Sequence, residues 1–366
     1  MSSAYERIPV TVLTGFLGSG KSTLLSDILT GEVATDTAVL VNEFGAVGLD
    51  HLLIREVDSQ TVLLDNGCVC CSIKSELKEA LLSLFSKRAR GEVPPFSRVV
   101  LETTGIATPA PIMATLLADP LVCCHYVLSS TITMIDAVNG AFQMEKHPEW
   151  TAQVTAADRI VISKSDLASE EEVRHLVSAA GKLNPAATCL IRKGAALLVD
   201  ARPGERSDVV TLHQLLMETV DPLDLVRRIG ADRSAKQNEF AFRAIDSAIG
   251  NKLNHRVAAD AAAVQAFCLE FDESLDWSPF MLWLTMVLHR HGDKILRIKG
   301  ILALSGSDSP VVLHAVQHLV HPLLHLSAWP DNDRRTRIVF ITEGITHAQI
   351  EDSYRGFQKF LDEAVA

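Results

Sequence analysis

The stretch Gly15-Phe-Leu-Gly-Ser-Gly-Lys-Ser22 fits the pattern G-x-x-x-x-G-K-[ST]. It lies between an apolar run that reads as a strand, residues 8–14, and a helix-forming run from Lys21 to Leu29. This strand–loop–helix unit constrains the fold more than any other feature of the chain. Its glycines let backbone N–H groups turn inward around phosphate oxygens. The Lys21 ammonium adds charge at the β- and γ-phosphates, and the Ser22 hydroxyl is a ligand for Mg²⁺. The candidate nucleotide-contacting residues of this loop are Gly15, Gly18, Ser19, Gly20, Lys21, Ser22 and Thr23.

Further apolar runs alternate with helical ones. Residues 37–41, 61–64, 98–101, 131–135 and 159–163 read as strands, and Ser75 to Lys87 as a helix. Glu170 to Gly181 reads as a helix with Ser169 as its N-cap and acids in its first turn. That alternation predicts an α/β domain with a mostly parallel sheet, the P-loop NTPase architecture. The pattern weakens after Asp221-Pro222. The expected layout is a nucleotide domain over 1–223, a polar linker over 224–238 and a smaller α+β domain over 239–366. In the last, 264–271, 295–304, 311–317 and 337–341 read as strands and Pro279 to His291 as a buried helix. A chain of 366 residues suits two cores better than one.

The net charge of -11, from 34 basic and 45 acidic residues, argues against general binding to nucleic acid or an anionic membrane. No apolar run approaches the length of a membrane span. The N-terminus lacks a basic region followed by an apolar one, so no signal peptide is expected and the cytoplasm is the expected compartment. Thiols there stay reduced, and clustered cysteines mean metal or redox chemistry more often than disulfides.

Other motifs extend the phosphate loop. The strand 98–101 runs into Glu102-Thr-Thr-Gly105, which supplies a carboxylate for Mg²⁺ or its water. Ser163-Lys-Ser-Asp166 closes another strand where GTPases commonly carry Asn-Lys-x-Asp. Asp166 can accept from guanine N1–H and N2–H₂ together, a donor pair that adenine lacks, and the Lys164 stem packs along the base. Guanine is therefore expected, with Ser163 a departure from the usual Asn. Between these motifs Asn66-Gly-Cys-Val-Cys-Cys-Ser72 crowds three of the chain's 7 cysteines into four positions. Cys68, Cys70 and Cys71 are soft ligands that suit Zn²⁺ or another thiophilic ion and leave one tetrahedral position open. A redox pair at Cys68 and Cys71, or an inert cluster, are the competing readings.

GFLGSGKST, NEFGAVGLD, NGCVCCS, ETTG and SKSD occur here in the order found in CobW/YjiA-type P-loop GTPases, and the first domain resembles that family throughout. The second resembles the CobW C-terminal domain, notably in Lys294-Ile-Leu-Arg-Ile-Lys-Gly-Ile-Leu302 and Arg335-Thr-Arg-Ile-Val-Phe-Ile341. The resemblance implies GTP hydrolysis coupled to binding and transfer of a transition metal, often Zn²⁺ and in some relatives Co²⁺, to a client metalloprotein. It does not identify the client. The histidine-rich tract of many relatives is absent. Lys21, Glu43 and Glu102 form the candidate catalytic set, with Asp50 an alternative to Glu43 for orienting the attacking water. Ser22, Glu102, Cys68, Cys70 and Cys71 form the candidate metal ligands.

Two other classes compete. A P-loop phosphotransferase would prefer ATP, which Asp166 argues against. A regulatory GTPase with a permanent structural zinc would hold its metal in every nucleotide state. His314, His318, His321 and His325 are spaced four, three and four apart, but Val311 to Gln317 reads as a strand and Pro322 interrupts any helix. Cys123 and Cys124, with His125, read as buried thiols, and Cys189 and Cys268 as core. Nothing in the sequence excludes a homodimer.

Overall fold

The structure is a computed structural model that describes residues 7–30, 36–41, 73–194, 196–199, 208–217, 240–241, 264–329 and 332–365. Contacts divide the chain into two units, one of residues 1–180 and 187–221, the other of 181–186 and 222–366. The expected linker, the strand at 61–64, the loop Asn42 to Asp50 and the three clustered cysteines lie outside the described residues.

The first unit is built on β1 (Ile8–Gly15), α1 (Lys21–Thr30), β2 (Thr37–Val41), α2 (Ile73–Arg90), β3 (Arg98–Glu102), α3 (Ala110–Ala118), α4 (Pro120–His125), β4 (Tyr126–Asp136), α5 (Gly140–Lys146), α6 (Pro148–Ala156), β5 (Arg159–Ser163), α7 (Glu170–Leu183), β6 (Thr188–Lys193), β7 (Ala196–Val199), β8 (Val209–Val210) and α8 (Leu212–Met217). The sheet runs β2-β3-β1-β4-β5-β6-β7-β8. From β2 to β6 every pairing is parallel, and β7 and β8 add an antiparallel margin. The α/β expectation holds. The margin and helices α3 to α6 were not foreseen, because short elements carry little periodic signal.

Leu24, Leu25, Ile28 and Leu29 form the apolar stripe of α1 and pack with Val39, Val100, Ile132 and Val161 of the sheet. Each such side chain contributes about 2 kcal/mol by burial. The Ser169 cap of α7 is reciprocal. The Ser169 hydroxyl accepts from the Glu172 N–H at 3.3 Å, and the Glu172 carboxylate accepts from the Ser169 N–H at 2.7 Å.

The strand order reverses direction around β1, with β3 on one side and β4 on the other. In an open parallel sheet, ligands gather beyond the carboxyl ends of strands at such a point. The register brings those ends together, pairing Leu13 with Glu102, Gly15 with Met134 and Asp136 with Ser163. Val41, where the chain leaves β2, also pairs with Glu102.

The second unit contains β9 (Phe240–Ala241), β10 (Val264–Phe271), α9 (Trp277–His291), β11 (Ile295–Leu302), β12 (Val311–Val316), β13 (Leu319–Val320), β14 (Leu324–His325), β15 (Thr336–Glu343) and α10 (His347–Val365). Its sheet is antiparallel, in the order β13-β12-β11-β15-β10-β9, with β14 on β12. Phe280, Trp283, Leu284 and Val287 of α9 and Ile350 of α10 join Ile298, Leu313, Ile338 and Phe340 in one core. The Trp283 indole N–H donates to the Ser353 hydroxyl at 3.2 Å, which ties α9 to α10.

Two thiol readings need correction. Cys124 is exposed and Cys123 only half-buried, because the short helix α4 turns Val122 inward and leaves the two thiols toward its outer side. Cys189 is buried as expected, whereas Cys268 is half-buried on β10. Among the described residues no helix is long and apolar enough to cross a membrane.

Candidate functional site

β1 ends at Gly15, whose φ is +140°. A Cβ there would stand 2.4 Å from the Met134 carbonyl oxygen and 2.8 Å from Ser19 Oγ. Both the dihedral and the approach of β4 demand glycine. Gly18 and Gly20 also take positive φ, +74° and +87°, as the chain curls into α1. The Lys21 ammonium reaches back to the start of the loop, donating to the Gly15 carbonyl at 2.8 Å and the Phe16 carbonyl at 3.2 Å. Ser19, Gly20, Ser22 and Thr23 follow on the same loop and first helical turn.

Glu102 is 6% exposed at the end of β3. The Ser22 hydroxyl donates to its Oε1 at 3.3 Å. A hydroxyl and a carboxylate side by side are hard oxygen donors of the kind Mg²⁺ takes. Beside them the Thr103 N–H donates to the Leu13 carbonyl at 2.9 Å, and its hydroxyl donates to Thr14 Oγ1 at 2.9 Å. Both threonine side chains are buried. Losing one of such a pair strands the other, at a cost of about 1–3 kcal/mol. The strand ends carrying the phosphate loop and Glu102 are thereby latched.

The Ser163–Asp166 motif closes on the same loop. Ser163 is buried at the end of β5. Its Oγ lies 2.7 Å from the Ser19 carbonyl oxygen and 3.1 Å from that of Ile135, and donates to them. Lys164 has a φ of +54°, and its ammonium pairs with Asp136 at 2.8 Å. Asp136 is 1% exposed and also accepts from the Val138 N–H, the Asn139 N–H and the Asn139 side-chain amide. Burial pushes its carboxyl up. The hydrogen bonds from Lys164, Asn139 and Val138 outweigh that and hold it below its ordinary value. Asp166 stands exposed three residues beyond Ser163, in the loop that follows.

The structure therefore brings the phosphate loop, Glu102, Ser163 and Lys164 to one edge of the sheet. Glu43, Asp50, Cys68, Cys70 and Cys71 lie outside the described residues. Sequence reasoning missed Asp136, although an acid closing an apolar strand is the same signal that singled out Glu102. It also missed His147, whose ring lies 4.5 Å from that of Phe16 in the phosphate loop. No local pattern links residues so far apart in the chain. His314 and His321 place their rings 5.8 Å apart, and His318 instead bonds the Leu288 carbonyl and Asp293. Among the described residues no three His, Cys, Asp or Glu side chains are arranged to hold a metal ion.

Residues 9–191 match the model of the CobW/HypB/UreG nucleotide-binding domain, and residues 264–358 that of the cobalamin synthesis protein cobW C-terminal domain. Over 353 residues, the chain is 31% identical to the zinc chaperone YjiA of Escherichia coli strain K12, spanning 96% of this chain and 99% of that one. The chain belongs to the CobW family of P-loop GTPases. Zinc-regulated GTPase metalloprotein activator 1 of Schizosaccharomyces pombe is 35% identical over 176 residues, 46% of this chain and 42% of that protein. The fold follows a solved zinc-bound triple mutant of the YjiA GTPase with a TM-score of 0.64 at 25% identity, covering 96% of this chain and 99% of that one.

Proposed function

We propose that this CobW-family GTPase uses GTP hydrolysis to control the binding and release of a transition metal at Cys68, Cys70 and Cys71, delivering it to a client metalloprotein. Zinc is the favoured cargo, since relatives that share the chain's length are zinc chaperones. The observation that carries the reading is the shared position of Glu102. It bonds Ser22 of the phosphate loop and pairs in register with Val41, after which the chain runs to Glu43 and then to the three cysteines.

In this reading Lys21 neutralises the terminal phosphates, while Lys164 and Asp166 select guanine. Ser22 and Glu102 hold Mg²⁺, which when bound supplies Lewis-acid stabilisation of developing phosphate charge. Glu43 orients water. GTP then orders the segment around Glu43 to Asp50, the thiolates gain ligand geometry, and hydrolysis releases it. A tenfold change in metal affinity between nucleotide states needs only about 1.4 kcal/mol of differential binding.

The test is competition for Zn²⁺ against a chromogenic chelator, with GDP and then with a non-hydrolysable GTP analogue and Mg²⁺. Tighter binding with the analogue, lost when Cys68, Cys70 and Cys71 are changed to Ser, is the expected result. Equal binding in both nucleotide states would instead make the chain a GTPase with a structural zinc.

A further inference from the structure

The amide of Gln153 is 1% exposed, on the inner face of α6. Its Nε2 donates to the carbonyl of Gly105 at 3.1 Å and to that of Ala107 at 3.0 Å. Both hydrogens of one amide are thus used on two carbonyls of the turn that follows Glu102-Thr-Thr-Gly105. The helix backbone behind the amide is tied to the sheet: the backbone carbonyl of Gln153 accepts from the Thr133 hydroxyl of β4 at 2.8 Å, and Trp150 and Val154 of α6 are buried.

The opposite side of the same turn is pressed against the phosphate loop. A Cβ on Gly105 would meet the Leu17 nitrogen at 2.5 Å and its Cα at 2.7 Å. The turn is therefore clamped between the loop backbone and a single buried side chain, three residues from the Glu102 carboxylate. Two amide hydrogen bonds, one buried and one part-buried, hold its two carbonyls to a single side chain. An apolar side chain of the same size would fill the space without fixing it.

We propose that Gln153 is a positioning residue for GTP hydrolysis, one that sets the Gly105–Ala107 turn against Leu17 and through it the placement of Glu102. This rests on the role given to Glu102 above. Binding of GDP, which depends chiefly on the phosphate loop and the base motif, should need Gln153 little.

The test uses the full chain with Gln153→Met, which keeps volume and removes both donors, and Gln153→Glu, which turns a donor into an acceptor facing two carbonyls. Steady-state GTP hydrolysis, GDP affinity by a fluorescent nucleotide and the thermal midpoint are measured on each. Gln153→Met should lower kcat about tenfold or more while GDP affinity stays within about threefold, and Gln153→Glu should be no better. A folded Gln153→Met variant with kcat near that of the unmodified chain overturns the proposal. So does a parallel loss of kcat and GDP affinity, which would mark Gln153 as a packing residue.

Hydrogen exchange of residues 103–109 in the unmodified protein gives a second reading if the variants do not fold. Protection higher with the GTP analogue than with GDP is expected, and equal protection overturns the idea. Glu102→Gln serves as the control: unchanged hydrolysis there would remove the role of Glu102, independently of the outcome at Gln153.

Discussion

The Ser163 hydroxyl lies 2.7 Å from the carbonyl oxygen of Ser19, joining the end of β5 to the middle of the phosphate loop. The usual Asn is missing at this position, yet the contact between the two motifs is made by the shorter side chain.

Changing Ser163 to Ala should remove that link and leave the Ser19 carbonyl without its side-chain donor. A buried neutral hydrogen bond is worth about 1 kcal/mol, so GDP affinity should fall roughly fivefold. The preference for guanine over adenine nucleotides should survive, because Asp166 is untouched. Competition between GTP and ATP for a fluorescent nucleotide checks both.

Asp166→Ala should do the reverse. The base loses a charge-assisted acceptor worth about 1.5–3 kcal/mol, which is roughly a 10- to 150-fold loss of GTP affinity. ATP binding should change little, so the ratio between the two nucleotides collapses. Isothermal titration with each nucleotide reads it directly.

Asp136 sets an acid limit. Its carboxyl titrates below the ordinary aspartate value, so its contribution is complete above the unfolded pKa of about 4 and is lost as pH falls through the folded one. Urea midpoints should be insensitive to this group from pH 5 to 7 and should fall below about pH 4. Asp136→Asn should cost about 1–3 kcal/mol at pH 7, by weakening the tie to Lys164, and should flatten the acid limb.

Trp283 anchors the second unit, touching the sheet core and bonding Ser353 of α10. Trp283→Ala should cost about 3–5 kcal/mol. Trp283→Phe, which keeps most of the burial and loses the indole donor, should cost about 1 kcal/mol beyond its lost area. Chemical denaturation followed by far-UV dichroism separates the two.

The long apolar strands and the capped helix α7 were readable from the chain because each obeys one period or one cap rule. Ser169 with Glu172 is a signal contained within four residues. The phosphate loop was readable for the same reason, since its glycines answer a local backbone need, as Gly15 shows. What stayed hidden depends on distant partners. Nothing near Gln153 announces that its amide will meet Gly105 and Ala107, 48 and 46 positions away. His147 against Phe16 is of the same kind. Cys123 and Cys124 misled because apolar neighbours suggested burial, whereas a six-residue helix turned one thiol to the surface.

In the strand order β2-β3-β1, the middle place belongs to the strand that ends in Glu102. The strand feeding the nucleotide loop lies on one side of it, and the strand leading toward the cysteines lies on the other. Two inter-strand spacings, about 10 Å, separate the ends of the outer pair. Glu102 stands at the midpoint of that gap, in register with Leu13 on one side and Val41 on the other.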